Sequence, residues 1–511
     1  MRLIVPLQGV VQGRGGLVLG TLIPCALFYF LQLYLRRNRS PPPTSPQPPA
    51  ANGADLLGIV RSSSRNFLSA RGSSGHAALS SRAALIARSG DSPYFVGTKK
   101  CSEDPYHPID NPDGVIQLGL AENRLSLDLI GDWLARNVKD TLLDERQGGL
   151  SITGLVTYQP FDGLVELKMR NTWKEKSLVQ AILIPSGNIG DLGIPLMFVE
   201  HDYVDFSLFY WLTISNYAGN AFLVPSPYYP GYDRNIRWRA GLELIPVPCR
   251  STDKFGLSIP ALERAYNQAK MRGVKVRAVL FSNPSNPVGN LLHRETLRDL
   301  LDFVTEKGIH VIADEVFAGS IHGTEEFVSM AEVLNTDEFD RSRVHIVYGL
   351  SKDLSIPGFR IGLIYSFNEH VIAAASKLAR FSSVSVPTQH LLISMLTDTK
   401  FVIRYIKTNR ERLRVMYALL VNGLKQLGVE SVKSSGGFYC WMDMSKYMKS
   451  YSEKGELELW KEMLNVAKIH LTPGTACHCI EPGWFRLCFT TLTEKDVPVV
   501  LERIKRLVDN H

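Results

Sequence analysis

Three apolar, β-branched segments, each followed by polar residues or a turn, most strongly constrain how this chain can fold. They span residues 275–282, 309–317 and 343–348, and an amphipathic segment near Arg294 to Lys307 separates the first two. Apolar strands that alternate with helices are typical of parallel sheets. The pattern therefore predicts an α/β fold, with the polar residues at the strand ends lying where such proteins bind ligands.

The residues that follow these strands favour a Schiff-base cofactor. Two Asn-Pro steps after the first strand make a rigid turn that carries Asn286, the second strand ends near Asp314, and Lys352 and Arg360 follow the third. An amine can form an imine with an aldehyde, a guanidinium can hold a phosphate, and a carboxylate can pair with a protonated pyridine. A lone Ser-Lys dipeptide is more often an exposed loop, but these four residues in this order predict a cofactor site.

Four sequence strings are similar to those of a known family. They are Ser-Lys-Asp-Leu-Ser-Ile-Pro-Gly-Phe-Arg-Ile-Gly at 351–362, Leu-Gly-Leu-Ala-Glu-Asn at 118–123, Pro-Ser-Pro-Tyr-Tyr-Pro-Gly-Tyr-Asp-Arg at 225–234 and Glu-Pro-Gly-Trp-Phe-Arg at 481–486. With them the chain resembles fold-type I pyridoxal-phosphate enzymes, closest to the plant 1-aminocyclopropane-1-carboxylate synthase family and its membrane-anchored, aminotransferase-like branch. The resemblance implies a mostly parallel seven-stranded sheet in a large domain, a small C-terminal α/β domain, a homodimer and pyridoxal 5'-phosphate as cofactor.

The resemblance also implies a role for each matching residue at the cofactor. Lys352 binds the cofactor covalently and moves the substrate's α-proton, Asp314 holds the pyridinium, and Asn286 holds the ring oxygen. Arg360 binds the phosphate, and Tyr229 stacks on the ring. No metal is expected, because the one Cys-His-Cys cluster lacks a second pair of ligands.

Two further residues are expected at the substrate. Arg486 matches the arginine that binds the α-carboxylate, and its alternating surroundings at 484–489 predict an edge strand. Glu122 matches a glutamate near the substrate's amino group. For both, a surface position is the alternative.

Several positions depart from the family pattern. Phe161 and Phe317 replace tyrosines, and Gly349 replaces a phosphate-binding serine. Residues 170–218 match the family poorly, and the turn at 186–190 is only a weak substitute for its glycine-rich phosphate loop. These departures count against the demanding ring-forming elimination.

Three functions therefore remain open. The first choice is transfer of an amino group between an α-amino acid and a 2-oxo acid. The alternatives are 1-aminocyclopropane-1-carboxylate synthesis from S-adenosylmethionine and an inactive, membrane-tethered partner subunit.

The N-terminal part differs in composition from the rest. Residues 1–39 contain an uncharged apolar segment at about 16–35, followed by Arg36, Arg37 and Arg39, which predicts a single-pass membrane anchor with the enzyme facing the cytosol. A cleaved signal peptide is the alternative. Residues 40–91, rich in Pro, Ser and Arg, are expected to be a disordered linker before a large domain (92–395) and a small domain (396–511).

The charge distribution argues against a nucleic-acid partner. The chain carries a net charge of +7, and its first 100 residues contain 12 Lys and Arg against 2 Asp. The enzymatic part therefore has no basic excess. Seven cysteines without a pairing pattern are expected to be reduced thiols.

Overall fold

The part of the chain described by the computed structural model covers residues 81–88, 90–143, 157–170, 196–199, 220–238, 240–336 and 339–510. All of it belongs to one of the two units into which the chain divides, Leu79–His511. The other unit, Met1–Ala78, lies outside the described residues.

Within the described residues the strands form three sheets. Their bounds are β1 Ile116–Gln117, β2 Leu196–Val199, β3 Asn220–Ser226, β4 Glu243–Pro248, β5 Lys275–Ser282, β6 His310–Asp314, β7 Val344–Gly349, β8 Gly362–Ser366, β9 Glu430–Val432, β10 Tyr439–Asp443, β11 Ile469–His470, β12 Thr472–Pro473 and β13 Trp484–Cys488.

The helices alternate with the strands through most of the chain. Their bounds are α1 Ser81–Arg88, α2 Pro93–Glu103, α3 Leu127–Leu143, α4 Val165–Arg170, α5 Ile259–Met271, α6 Arg294–Lys307, α7 Met330–Thr336, α8 Leu350–Asp353, α9 Glu369–Leu378, α10 Val386–Thr397, α11 Thr399–Gln426, α12 Glu453–Asn465 and α13 Val497–Val508. A π-helical segment, Asp233–Trp238, lies between β3 and β4.

The largest sheet has seven strands in the order β2-β8-β7-β6-β5-β3-β4. β7, β6, β5, β3 and β4 pair in parallel, while β8 is antiparallel to both of its neighbours. The predicted α/β fold with a mostly parallel seven-stranded sheet is confirmed. The carboxyl ends of β5, β6 and β7 consequently lie side by side.

Both faces of this sheet are buried because alternate residues of each strand point to opposite sides. One face packs on α9 and includes Phe222, Leu280, Ile312, Val347 and Ile364. The other face packs on α5 and α6 and includes Leu223, Val279, Phe281, Val311 and Ile346. A sheet covered in this way leaves its strand ends as the accessible place for a ligand.

The C-terminal part forms a separate antiparallel sheet in the order β12-β13-β10-β9. β13 is therefore an interior strand, and the prediction that residues 484–489 form an edge strand is wrong. The alternation of residues along 484–489 resembles that of an edge strand, but β12 and β10 flank β13 on its two sides and the Arg486 side chain is fully buried.

The segment around β1 packs with this C-terminal part although it precedes the large sheet in sequence. β1 pairs in parallel with β11, and the Cys488 N–H donates to the Leu118 carbonyl at 2.7 Å. Cys101, Ile116 and Leu118 lie in one apolar cluster with residues of α11, α12 and α13. A domain boundary near residue 395 stays a prediction.

The predicted N-terminal features need a correction. The proposed anchor at 16–35 lies outside the described residues, as does most of the linker, whose last residues form α1. Within the described ranges, no helix combines the length and the apolar character needed to cross a bilayer. This finding overturns the prediction of a single-pass membrane localisation.

A buried carboxyl group follows β6 directly. Glu315 is fully buried, and it accepts hydrogen bonds from the Ser329 hydroxyl at 2.7 Å and the Met330 N–H at 2.8 Å. Burial raises the pKa of Glu315 to about 8, above its ordinary value of 4.5. The folded protein thus keeps this proton in a pH range where the unfolded chain has lost it.

The variant Glu315→Gln is expected to become more stable relative to the parent as pH rises from 5 to 8. In this window the folded parent binds more protons than the unfolded chain, so its free energy of unfolding decreases with pH, by at most about 1.4 kcal/mol per pH unit. The glutamine amide matches the protonated acid in shape and does not titrate. Urea unfolding of both proteins at several pH values measures the difference, and parallel pH profiles would contradict the prediction.

Candidate functional site

Lys352 lies on the short helix α8, immediately after β7. Its side chain is half-buried, and its ammonium Nζ donates a hydrogen bond to the Ala121 carbonyl at 2.7 Å. Gly349 is the last residue of β7 and pairs with Gly362 in β8. Lys352 follows it by three positions, just beyond the sheet. The predicted Schiff-base lysine is therefore at the carboxyl end of a parallel strand.

Asp353 fixes the turn that carries Lys352. Its buried carboxylate accepts hydrogen bonds from the Gly319 N–H at 2.6 Å, the Ser320 hydroxyl at 2.5 Å and the Tyr348 hydroxyl at 2.9 Å. These contacts join α8 to the loop after β6. Asp353 is a positioning residue that the sequence argument missed, although it directly follows the lysine.

Asp314 is the last residue of β6 and only 8% exposed. Its carboxylate accepts hydrogen bonds from the Tyr232 hydroxyl and from the Val316 N–H at 3.3 Å. Burial raises the pKa of this carboxyl, and the Tyr232 hydroxyl and the charge of Lys352 act in the opposite direction. The structure thus brings Asp314 close enough to Lys352 for their charges to interact.

Asn286 lies on the turn after β5 and contacts two residues of the C-terminal sheet. Its Oδ1 accepts a hydrogen bond from Arg486 Nη1 at 2.8 Å, and its Nδ2 donates to the Tyr439 hydroxyl at 3.2 Å. All three side chains are buried. The contacts join the large sheet to the C-terminal sheet at the site.

Arg486 is a fully buried cation. Its Nη2 donates to the Gly119 carbonyl at 2.6 Å and to the Thr472 hydroxyl at 3.3 Å. Throughout the described ranges no carboxylate forms an ion pair with it, and its buried Nε has no hydrogen-bond partner there. A buried charge is costly unless it is paired, so this guanidinium is suited to the carboxylate of a bound molecule.

Aromatic rings form one wall of this region. Tyr229, the predicted stacking residue, is half-buried and lies edge-on to Tyr232, with centroids 5.5 Å apart. Tyr94 connects it to the carboxylate-binding side, since its ring is 6.4 Å from Tyr229 and 5.3 Å from the Arg486 guanidinium. The wall therefore spans from the end of β6 to Arg486.

The last two predicted site residues are Arg360 and Glu122. Arg360 follows the short helical turn Pro357–Phe359 in a left-handed conformation with φ 57°, and its Nη1 donates to the Pro357 carbonyl at 3.0 Å. Glu122 follows Ala121, the acceptor of Lys352, but its carboxylate pairs with Arg124 at 2.6 Å. Their predicted roles at a phosphate and at an amino group stay predictions.

The positions that depart from the family pattern also have defined surroundings. Phe161 is half-buried in an apolar cluster, 5.4 Å from the Arg380 guanidinium. Phe317 is buried edge-on to Phe438 and Tyr439, at 5.0 and 5.6 Å. Most of residues 170–218, including the turn at 186–190, lies outside the described residues, apart from Arg170 and β2.

The assembled site can perform proton transfer beside a buried carboxylate. It combines one amine on α8, one carboxylate on β6 and one unpaired guanidinium on β13. Tyr232 and Tyr439, which the sequence argument did not select, place hydroxyl groups among these residues. Tyr232 lies within the string at 225–234 that carries the family resemblance, which is the one sequence signal that pointed to it.

Comparison with known proteins finds a family model and relatives that match this chain. The family model for aminotransferase class I and II matches residues 207–504. The chain is 56% identical over 526 residues to 1-aminocyclopropane-1-carboxylate synthase 6 of Oryza sativa subsp. japonica, covering 100% of this chain and 94% of that one. It is 52% identical over 511 residues to probable aminotransferase ACS12 of Arabidopsis thaliana, covering 100% and 99%.

Solved structures share the fold at low sequence identity. An aromatic aminotransferase from Pyrococcus horikoshii OT3 superposes with a TM-score of 0.64 and 23% identity, covering 78% of this chain and 96% of that one. The aspartate aminotransferase from Thermus thermophilus with maleate superposes with a TM-score of 0.63 and 21% identity, covering 84% and 100%.

Proposed function

Because this chain belongs to the class I and II aminotransferase family, and within it to the 1-aminocyclopropane-1-carboxylate synthase group, we propose that it transfers an amino group between an α-amino acid and a 2-oxo acid. Members of this family depend on pyridoxal 5'-phosphate. The observation that carries the proposal is that Asp314 ends β6, Lys352 follows β7 on α8, and the buried, unpaired Arg486 of β13 contacts Asn286 on the turn after β5.

The residues present fit this cofactor. The buried carboxylate of Asp314 calls for a cationic partner, which a protonated pyridine nitrogen supplies. Lys352 offers a primary amine, and Arg360 and Tyr229 are proposed to hold the phosphate and the ring face. The donor set therefore suits a cationic ring that carries an aldehyde and a phosphate.

When bound, the cofactor supplies an electron sink for the carbanion formed at the substrate's α-carbon. Arg486 binds the substrate's α-carboxylate and thereby orients the α-carbon toward Lys352. The amine of Lys352 would act as the base that removes the α-proton, and its protonated form would return that proton to complete the transfer. Asp314 keeps the ring nitrogen protonated, and Glu122 is proposed to lie near the substrate's amino group.

Phe161 supports transfer over ring formation. Its ring lies in an apolar cluster beneath Arg380, so this position offers no hydroxyl to a substrate. Ring formation from S-adenosylmethionine requires the substrate to lose its γ-substituent as well as its α-proton, and each additional step needs its own positioned groups. The 56% identity to a protein named 1-aminocyclopropane-1-carboxylate synthase nevertheless makes this the second candidate.

Product analysis separates the two candidates. The full chain loaded with pyridoxal phosphate is incubated either with an amino acid and a 2-oxo acid or with S-adenosylmethionine alone. We expect a new amino acid and a new 2-oxo acid in the first reaction. Formation of 1-aminocyclopropane-1-carboxylate in the second would instead establish the synthase, and no product in either would indicate an inactive subunit.

A homodimer is proposed as the working form. The resemblance implies that residues 158–163 reach the site of the neighbouring subunit. In agreement with this, Tyr158 is 92% exposed in the single chain and lies 6.1 Å from Phe161. A second copy that covers this side chain would remove its apolar surface from water.

The variant Tyr232→Phe is expected to weaken pyridoxal phosphate binding by about tenfold or more. Its hydroxyl donates to the Asp314 carboxylate, and a hydrogen bond to a charged group contributes about 1.5–3 kcal/mol. Without it, Asp314 ionises less readily and pairs less strongly with the ring. Titration of the cofactor-free protein with pyridoxal phosphate measures the dissociation constant.

Tyr228→Phe provides a matched control for this variant. Tyr228 is equally buried in the same turn, but its ring stacks on His478 at 4.5 Å. Equal losses of affinity in both variants would show that burial of a hydroxyl, rather than contact with Asp314, determines the effect.

A further inference from the structure

Tyr439 is a fully buried phenol at the centre of the site. Its ring lies 4.6 Å from the Arg486 guanidinium, and its oxygen is 3.2 Å from Asn286 Nδ2. Burial raises the pKa of this phenol well above its ordinary value, and the charge of Arg486 opposes the increase. The other titratable groups that face it are Cys488, Tyr94 and Tyr229, so it remains a proton donor at neutral pH.

Arg486 determines which end of the Asn286 amide faces Tyr439. A guanidinium can only donate hydrogen bonds, so the amide atom that it contacts at 2.8 Å must be the oxygen. The NH₂ end then faces Tyr439 and donates to the phenol oxygen. The hydroxyl proton of Tyr439 is therefore directed elsewhere, and it has no acceptor in the described part of the chain.

The Asn286 amide likewise retains a donor. Its NH₂ group carries two protons, and one contact uses one of them within the described residues. The two remaining protons belong to atoms only 3.2 Å apart, so a single oxygen of a bound molecule can accept both. Buried donors of this kind are normally satisfied, and an anionic oxygen satisfies them best.

The side chain beside Tyr439 belongs to a position that departs from the family pattern. Phe317, which stands where the resembling family has a tyrosine, lies edge-on to Tyr439 at 5.6 Å. The two side chains reach the same region from different strands, one after β6 and one on β10. The hydroxyl that position 317 lacks is thus present at position 439.

We infer that Tyr439 and Asn286 together bind the anionic ring oxygen of the cofactor, and that Tyr439 supplies the phenol that position 317 lacks. Resting on the proposed function, this adds a cofactor-binding residue from the C-terminal sheet. The hydrogen bond that a tyrosine at position 317 would donate to the ring oxygen is then donated by Tyr439 instead.

The test follows the lysine-dependent absorbance band of the bound cofactor as a function of pH, in the full chain without substrate. In Tyr439→Phe the midpoint of this titration should rise by about one pH unit, because a donor to the anionic oxygen has been lost. The double variant Tyr439→Phe/Phe317→Tyr should return the midpoint toward that of the parent. Tyr447→Phe, which removes another buried hydroxyl, one that donates to the Leu427 carbonyl, should leave it unchanged.

Each outcome distinguishes the inference from the proposed function. A parent protein without any band would overturn both. A parent with a normal band and an unshifted Tyr439→Phe would overturn the role of Tyr439 alone, as would a shift that the double variant does not reverse. A separate titration of each variant with the amino acid completes the test: weaker amino-acid binding by Tyr439→Phe with an unshifted midpoint would assign the phenol to the substrate carboxylate and overturn the assignment to the cofactor. If the single variant does not fold, a raised midpoint in the double variant overturns the inference and a parental midpoint supports it.

Discussion

Replacing Lys352 with alanine is expected to abolish the absorbance band of the lysine-bound cofactor and to reduce turnover by at least about a thousandfold. The residue would supply both the covalent attachment and the proton transfer, and a positioned acid–base group alone contributes about 10²–10⁴-fold. Its Nζ lies 2.7 Å from the Ala121 carbonyl and within electrostatic reach of Asp314. Absorbance spectra and single-turnover rates of the full chain measure the two losses.

Two controls make this result specific. Lys377→Ala removes an exposed lysine of α9 and should change neither the spectrum nor the rate. Lys352→Arg retains the charge without an amine that forms an imine, and it should also lack the band. A band that persists in Lys352→Ala would show that another lysine binds the cofactor.

The second large effect is expected at Arg486. For Arg486→Ala we expect kcat/KM for an α-amino acid to fall about a thousandfold, since loss of one partner of a buried ion pair costs about 3–5 kcal/mol. Arg486→Lys keeps the charge but loses the two-pronged guanidinium that binds a carboxylate. Its kcat/KM should therefore lie between those of the alanine variant and the parent.

A substrate analogue without a carboxylate shows whether the loss of kcat/KM comes from lost binding of the carboxylate. The amine that corresponds to the amino acid, without its carboxylate, should react equally slowly with the parent and both variants. Arg486 also contacts Asn286 and Gly119, so a purely structural role would slow the amine as well. A thermal melt of each variant monitors that possibility.

The central strands could be located from the sequence because each is a continuous apolar segment that ends at a distinctive residue. The segment 275–282 coincides with β5, and the amphipathic segment 294–307 coincides with α6. β6 covers His310–Asp314, the first part of the apolar segment 309–317, and in the loop that follows the Gly319 N–H donates to the Asp353 carboxylate.

Side-chain partners distant in sequence could not be predicted in the same way. Nothing in the pattern around β10 distinguishes Tyr439 from an ordinary buried residue, since its partner Asn286 is 153 positions away. Tyr232 and Asp314 are 82 positions apart, and Arg486 and Gly119 are 367. Alternation along one strand also failed at Arg486, because its burial depends on the strands on either side.

The pairing of β1 with β11 has a consequence for synthesis in the cell. About 350 residues separate the two strands, and the Gly119 carbonyl must wait even longer for Arg486. At translation rates of roughly 5–20 residues per second, β1 emerges from the ribosome on the order of tens of seconds before its partner. A message truncated ahead of the codon for Arg486 would encode a chain that carries Lys352 and Asp314 but lacks the arginine for the carboxylate, and chaperones would meet β1 unpaired.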